Sequence, residues 1–215
     1  MYQQHLSRCQ VEQEQQNQEL TAAYQKAVGI LGGGFNPVHH GHLIIADQVR
    51  EQLGLDEFYL MPSYLSPHID EKKVISAQHR LKMLECAIKD NPTLAIETCE
   101  ITRQGKSFTY ETIKQLVDEN PDTRYYFVIG GDMVEYLPKW HRIDELVQLV
   151  QFVGVNRPGY AVESPYPLIW VDVPLLDISS SMIRQKIRQG CSVRYYTPDA
   201  VIDYIEKEGL YRHDD

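Results

Sequence analysis

The sequence predicts a single α/β domain built on a doubly wound, mostly parallel sheet. Three features of the 215 residues point there. From Lys26 onward, short apolar runs alternate with longer amphipathic segments, the pattern of repeated βαβ units. A glycine-rich loop follows the first apolar run, as where a strand turns into a helix beside a ligand. The amphipathic segments mostly close on Gly or Asn-Pro, both helix stop signals.

Taken in order, "VGIL" (28–31) reads as a strand buried on both faces, since such strands are continuously apolar. The loop "GGGFNPVHHG" leads into a helix through "HLIIADQVREQLG", stopped at Gly54, and "EFYLMP" is a second strand. After a proline-bearing loop, "SAQHRLKMLECAIKDN" reads as a helix begun by Ser76 and ended by Asn91-Pro92. "LAIET" is a third strand, "TYETIKQLVDEN" a third helix and "RYYFVIGG" a fourth strand. "DMVEYLPKWHRIDELVQLV" reads as a helix broken around Pro138, and "QFVGVNRPG" and "LIWVDVP" as further strands. "DISSSMIRQKIRQG" and "TPDAVIDYIEKEGLY" close the chain as helices, the second with Pro198 at its start. Sheets of this kind bind ligands beyond the carboxyl ends of their strands, where the strand order reverses, so the loops after strands are where chemistry belongs.

Composition narrows the function. With 43% hydrophobic and 24% charged residues the chain is an ordinary soluble globular protein. A net charge of −9 and a pI near 5.4 repel nucleic acid and anionic membrane, so neither is an expected partner, and any anionic ligand needs a local cationic site. The four cysteines, Cys9, Cys86, Cys99 and Cys191, are scattered without metal-site spacing and read as reduced cytosolic thiols. Residues 1–25 form a polar, glutamine-rich extension with no apolar run, so neither a signal peptide nor a membrane span is expected there. The folded domain is 26–215.

The loop after the first strand carries the densest chemistry. Gly32, Gly33 and Gly34 sit where strand turns to helix, so backbone N–H groups can face an anion without side chains in the way. The spacing is neither GxGxxG nor a Walker loop. In their place stands His39-His40-Gly41-His42. His39 and His42, three apart on an opening helical turn, share a face at the end that favours negative charge. Gly41 leaves room for the ligand. Zinc is the rival reading, but no carboxylate or thiol stands at ligand spacing, and His40 alone reads as a non-functional position.

Three other positions admit two readings. Ser179, Ser180 and Ser181 open a helix after a strand; they suit a phosphate site or a plain N-cap, and Arg184, one turn on, tilts toward phosphate. Asp132, just past a strand end, suits ribose hydroxyls or a helix cap. Trp140 suits a core position or a stacking face for a flat cation.

These residues fall within six blocks, "GGGFNPVHHGH", "MPSYLSPH", "EITRQGKSFTYET", "IGGDMVEYLPKW", "FVGVNRPGY" and "ISSSMIR". In that order, from about Lys26 to Tyr211, they resemble the bacterial nicotinate-nucleotide adenylyltransferase family of HxGH nucleotidyltransferases. The resemblance implies a Rossmann-like doubly wound sheet and transfer of the adenylyl group of ATP to nicotinate mononucleotide. It implies catalytic roles for His39, His42 and Arg184, and ATP contacts from Gly33, Gly34, Phe35, Gly41, Asp132, Ile178, Ser179, Ser180 and Ser181. It implies acceptor contacts from Asn36, Thr109, Tyr110, Trp140 and His141, with Trp140 stacked on the pyridine ring and backbone donors near Thr109 favouring a carboxylate. Mg2+ is expected with the ATP, in a cytoplasmic enzyme for which a homodimer is allowed.

The chain departs from the family pattern in one place that matters. Ile69 follows His68 where a lysine is usual, so Lys72 or Lys73 is expected to reach the acceptor phosphate, and the 62–75 loop is a candidate lid. Ser66 and Gly34 are milder departures. Rival functions are a sister adenylyltransferase acting on nicotinamide mononucleotide or phosphopantetheine, a non-catalytic nucleotide-binding regulator, and a synthetase fragment. The Trp140 segment argues against pantetheine, the intact His39, Gly41, His42 and Arg184 against the regulator, and the lack of a KMSKS-like segment against the synthetase.

Overall fold

The computed structural model describes residues 25–65, 74–156, 163–174 and 176–212, with the side chain of Asp132 excepted. Lys72, Lys73, the His68-Ile69 departure and residues 1–24 of the extension lie outside the described residues.

Among the described residues six strands form one sheet: β1 (Lys26–Gly33), β2 (Glu57–Pro62), β3 (Leu94–Ile96), β4 (Thr123–Gly130), β5 (Gln151–Asn156) and β6 (Leu168–Asp172). Their order is β3-β2-β1-β4-β5-β6, and every pairing is parallel. The chain therefore winds outward in one direction from β1 through β3, then returns to start β4 on β1's other side. The crevice between the ends of β1 and β4 is the switch point at which such sheets bind ligands.

Among the described residues eight α-helices flank the sheet: α1 (His40–Leu53), α2 (Ala77–Ile88), α3 (Cys99–Arg103), α4 (Thr109–Glu119), α5 (Gly131–Val134), α6 (Ile143–Leu149), α7 (Ser180–Arg188) and α8 (Asp199–Glu208). Side chains alternate across each strand, which divides the core in two. Leu31 and Val128 join Ala46 and Val49 of α1, Met83 and Leu84 of α2, and Val201 and Ile205 of α8 on one face. Val28, Ile30, Tyr125, Phe127 and Ile129 join Ile113 and Leu116 of α4 and Leu146 of α6 on the other. Coverage on both faces explains why the strands read as continuous apolar runs.

Local signals set most boundaries. Ser76 caps α2 by accepting from the His79 N–H, and Gly54 and Gly209 end α1 and α8 at φ +61° and +66°, the left-handed conformation glycine adopts without strain. The sequence reading differs in three places. The third strand ends at Ile96, and the chain enters the short α3, which the sequence did not signal. The segment after β4 breaks twice: at a 3₁₀ turn over Leu137–Lys139 carrying Pro138, and at Arg142, whose φ is +53°. The first strand starts at Lys26 because β4 pairs with it from there.

Gly29 shows how tightly the sheet is covered. A Cβ there would lie 2.3 Å from the Phe58 ring and 2.9 Å from Leu55, both fully enclosed. Gly29→Ala is expected to cost about 1–3 kcal/mol by overpacking, with turnover per folded molecule unchanged. Denaturant melts of the two proteins measure this, and equal midpoints would refute it.

Candidate active site

The loop between β1 and α1 crosses the switch point. The conformational demand of its turn falls on Phe35, at φ +45°, while none of the three glycines takes a positive φ. Phe35 is fully buried and packs its ring edge-on to His42 at 4.9 Å, so it backs the histidines from the core side. Gly34 has open space in front of it, as an anion-facing position requires.

His39 is the N-cap of α1 and His42 its third residue. The Nδ1 of His42 accepts from the His39 backbone N–H at 3.2 Å, which leaves the hydrogen of the neutral ring on Nε2. The two rings stack with centroids 3.6 Å apart and planes 22° from parallel. Gly41 is what permits this: a Cβ there would meet Nδ1 of His39 at 3.1 Å. The space read from sequence as room for a ligand is thus taken by the histidine ring.

Both imidazoles are held neutral. Burial, aided by the charge of His40, pushes the His39 pKa from 6.5 down to about 4. Burial, followed by the charge of His39, holds His42 well below its ordinary value. The Nδ1 of His39 is buried without a hydrogen-bond partner, a polar atom still to be satisfied.

The start of α7 abuts the same turn. Ser179 caps the helix by accepting from the Met182 N–H, and the Ser180 hydroxyl donates to the Pro37 carbonyl at 2.8 Å. Arg184 donates to the Asn36 carbonyl at 2.7 Å and to the Ser181 hydroxyl at 3.0 Å. Among the described residues no carboxylate pairs with Arg184, and three of its five donors stay open to a ligand. Two helix N-termini and an uncompensated guanidinium therefore converge on Asn36–His39, a field made for a polyanion. Ile178 precedes this cap, half-buried.

Beside the turn lies a cavity of about 520 Å³, bounded by Gly33 and Gly34, the ends of β2 and β4, Thr109 at the start of α4, and Trp140 and His141. The Trp140 indole packs edge-on against Phe127 and Phe152 at 6.0 Å, and its Nε1 is buried with no partner. His141 lies 3.7 Å from Glu111 and 5.0 Å from the Phe108 ring.

Not every candidate faces this space. Tyr110 is buried in the second core beneath the Arg142 guanidinium, 3.9 Å above its ring, and does not line the cavity. Asn36 is 7% exposed, and its side-chain oxygen accepts from the Tyr211 hydroxyl at 2.7 Å. Asp132 falls in α5, its side chain outside the described residues.

Sequence reasoning missed Arg80, Glu100 and Tyr211. Arg80 is buried under the turn, and its signal was an arginine inside the apolar stripe Ala77, Met83, Leu84. Glu100 lines the cavity and accepts from Thr112, which in turn accepts from Arg103, tying α3 to the first turn of α4. Nothing in the local sequence marks Tyr211. Among the described residues no three His, Cys, Asp or Glu side chains converge as a metal cage.

Comparison with known proteins gives a consistent picture. The cytidylyltransferase-like family model matches residues 30–186. A protein of Enterococcus faecalis named "probable nicotinate-nucleotide adenylyltransferase" is 63% identical over 197 residues, covering 92% of this chain and 90% of that one. A Streptococcus mutans protein of the same name is 63% identical over 87% of this chain and 90% of its own. The structure of Plasmodium falciparum nicotinic acid mononucleotide adenylyltransferase complexed with NaAD superposes with a TM-score of 0.72, at 21% identity, over 86% of this chain and 97% of that one. At that identity the superposition speaks for the fold, while the close relatives and the family model carry the rest. The chain belongs to the nicotinate-nucleotide adenylyltransferase family of cytidylyltransferase-like proteins.

Proposed function

We propose that this protein transfers the adenylyl group of ATP to the phosphate of nicotinate mononucleotide, giving deamido-NAD and pyrophosphate. The observation that carries the reading is the junction of two half-sites. A turn built for a polyphosphate, at the N-termini of α1 and α7, opens on a cavity walled by Trp140, whose buried Nε1 lacks a partner.

No activated nucleophile stands beside the histidines, so the acceptor phosphate, already an anion, attacks the α-phosphorus in line. The new P–O bond forms as the bond to the bridging oxygen breaks, and pyrophosphate leaves. Catalysis is then positioning and charge stabilisation. His39 and His42 donate to oxygens of the α-phosphate, and Arg184 with Ser179–Ser181 holds the leaving pyrophosphate. Gly33 and Gly34 border the nucleotide, with Gly41 leaving the His39 ring its place and Asp132 and Ile178 near the sugar and base. Thr109, Trp140 and His141 receive the acceptor, and Lys72 its phosphate. Mg2+ would come with the ATP phosphates and add to the charge stabilisation there. The substrates are intracellular metabolites, so the reading implies a cytoplasmic enzyme.

Supplying magnesium-ATP with nicotinate mononucleotide, nicotinamide mononucleotide or phosphopantetheine, in separate reactions, tests the proposal. Pyrophosphate release is expected to be fastest with the first; faster release with another acceptor overturns the substrate assignment. His42→Ala should lower turnover by roughly 10²-fold, the loss of one charge-stabilising donor, with the fold intact.

The neutral histidines add a pH dependence. In the ligand-free protein His39 is depressed to about 4, so its stabilising contribution is complete above 6.5, the ordinary value, and is lost as pH falls toward 4. The loss amounts to roughly 3 kcal/mol, measured as falling melting temperature across that window and reduced in His39→Asn. A bound polyphosphate reverses the preference by favouring protonated rings. Binding of magnesium-saturated, non-hydrolysable ATP analogue should therefore tighten from pH 8 to pH 6 with proton uptake, seen by calorimetry in buffers of different ionisation enthalpy. Absence of uptake would show that the rings stay neutral in the complex.

A further inference from the structure

Arg80 is 1% exposed, on the core-facing stripe of α2 between Ala77 and Met83. Its guanidinium donates to the carbonyls of Gly34 at 3.0 Å, Ser63 at 2.6 Å and Tyr64 at 3.2 Å. Gly34 belongs to the phosphate-facing turn after β1. Ser63 and Tyr64 begin the loop after β2, which is tied in turn to the acceptor cavity: the Ser107 hydroxyl accepts from the Tyr64 N–H at 3.0 Å, and the Ser107 N–H donates to Leu65 at 2.9 Å.

Among the described residues no carboxylate pairs with Arg80, and its Nε has no partner. Burial pulls its pKa down, opposed by the nearby Tyr211. A buried cation with no carboxylate beside it is costly, a cost offset here by the three backbone carbonyls it satisfies. What it adds beyond packing is a planar fork of fixed geometry that grips two loops at once.

We propose that Arg80 is a positioning residue that sets the separation between the donor turn and the acceptor-side loop, and so the in-line approach of the acceptor phosphate to the α-phosphorus. The proposal rests on the adenylyl-transfer reading above. Arg80 touches no substrate. Each half-site keeps its own binding groups, so the loss of Arg80 falls on alignment rather than on affinity for either substrate.

Arg80→Lys, which keeps a cation with three donors but loses the planar fork, and Arg80→Ala, assayed with and without added guanidinium ion, test this beside the wild type. For Arg80→Lys kcat should fall by about 10²-fold while KM for ATP and for nicotinate mononucleotide each stay within about threefold. Guanidinium ion should restore part of the turnover of Arg80→Ala and none of that of His42→Ala. A kcat for Arg80→Lys within about threefold of wild type, or a loss expressed as raised KM for ATP, overturns the proposal. So does failure of both variants to fold, which would assign Arg80 to the core. The wild-type rate separately tests the underlying reading, since it depends on no variant.

Discussion

A turn proposed to face a polyphosphate has to turn its own carbonyl oxygens elsewhere, and the turn after β1 is organised in that way. Between Gly33 and Val38, five carbonyls accept from outside the turn. Gly33 accepts from the Ser63 N–H, Gly34 from Arg80, Asn36 from Arg184, Pro37 from Ser180 and Val38 from Thr197. A buried carbonyl left without a donor costs about 1–3 kcal/mol, and one aimed at a phosphate would repel it. Drawing these oxygens back meets both demands together. The donors come from the loop after β2, from α2, from α7 and from the segment leading into α8, so much of the domain meets at six residues.

The same arrangement governs the electrostatics. Among the described residues two guanidiniums grip the turn without carboxylate partners, and burial keeps the two stacked imidazoles above it neutral. Had both rings been protonated at 3.6 Å they would repel each other in a poorly solvated place, and burial prevents that. The positive field is therefore held in reserve until an anion arrives to share it. The proposed reaction needs donors fixed in advance at the α-phosphate, a need that a desolvated, already oriented pair meets with little reorganisation.

The alternation of apolar runs made the sheet legible, and the Gly/His loop and the Ser/Arg cap made the phosphate half-site legible, because each depends on residues close together in the chain. The acceptor half-site was legible chiefly through resemblance, since Thr109, Trp140 and His141 meet only in the folded molecule. Some readings took the right residues for the wrong reason. The left-handed turn residue is Phe35 rather than a glycine, and Gly41 makes way for His39. Tyr110 and Phe35 matched a motif yet serve the core. Arg80 stood out only as an arginine inside an apolar stripe and Tyr211 not at all, because their partners Gly34 and Asn36 lie 46 and 175 residues away and local periodicity carries no information about such pairs.

Tyr211 gives that distance a meaning in time. Its hydroxyl, buried with φ at +63°, closes on Asn36 across nearly the whole domain. A ribosome makes Gly33–Val38 early, but the residues that hold those carbonyls emerge piecemeal, with Arg184 and Thr197 last, and Tyr211, which grips the Asn36 side chain, comes later still. Strands β1 to β4 can pair while synthesis continues. The turn cannot be completed until α8 has left the exit tunnel, so a half-made chain carries the histidine motif on an unfinished turn.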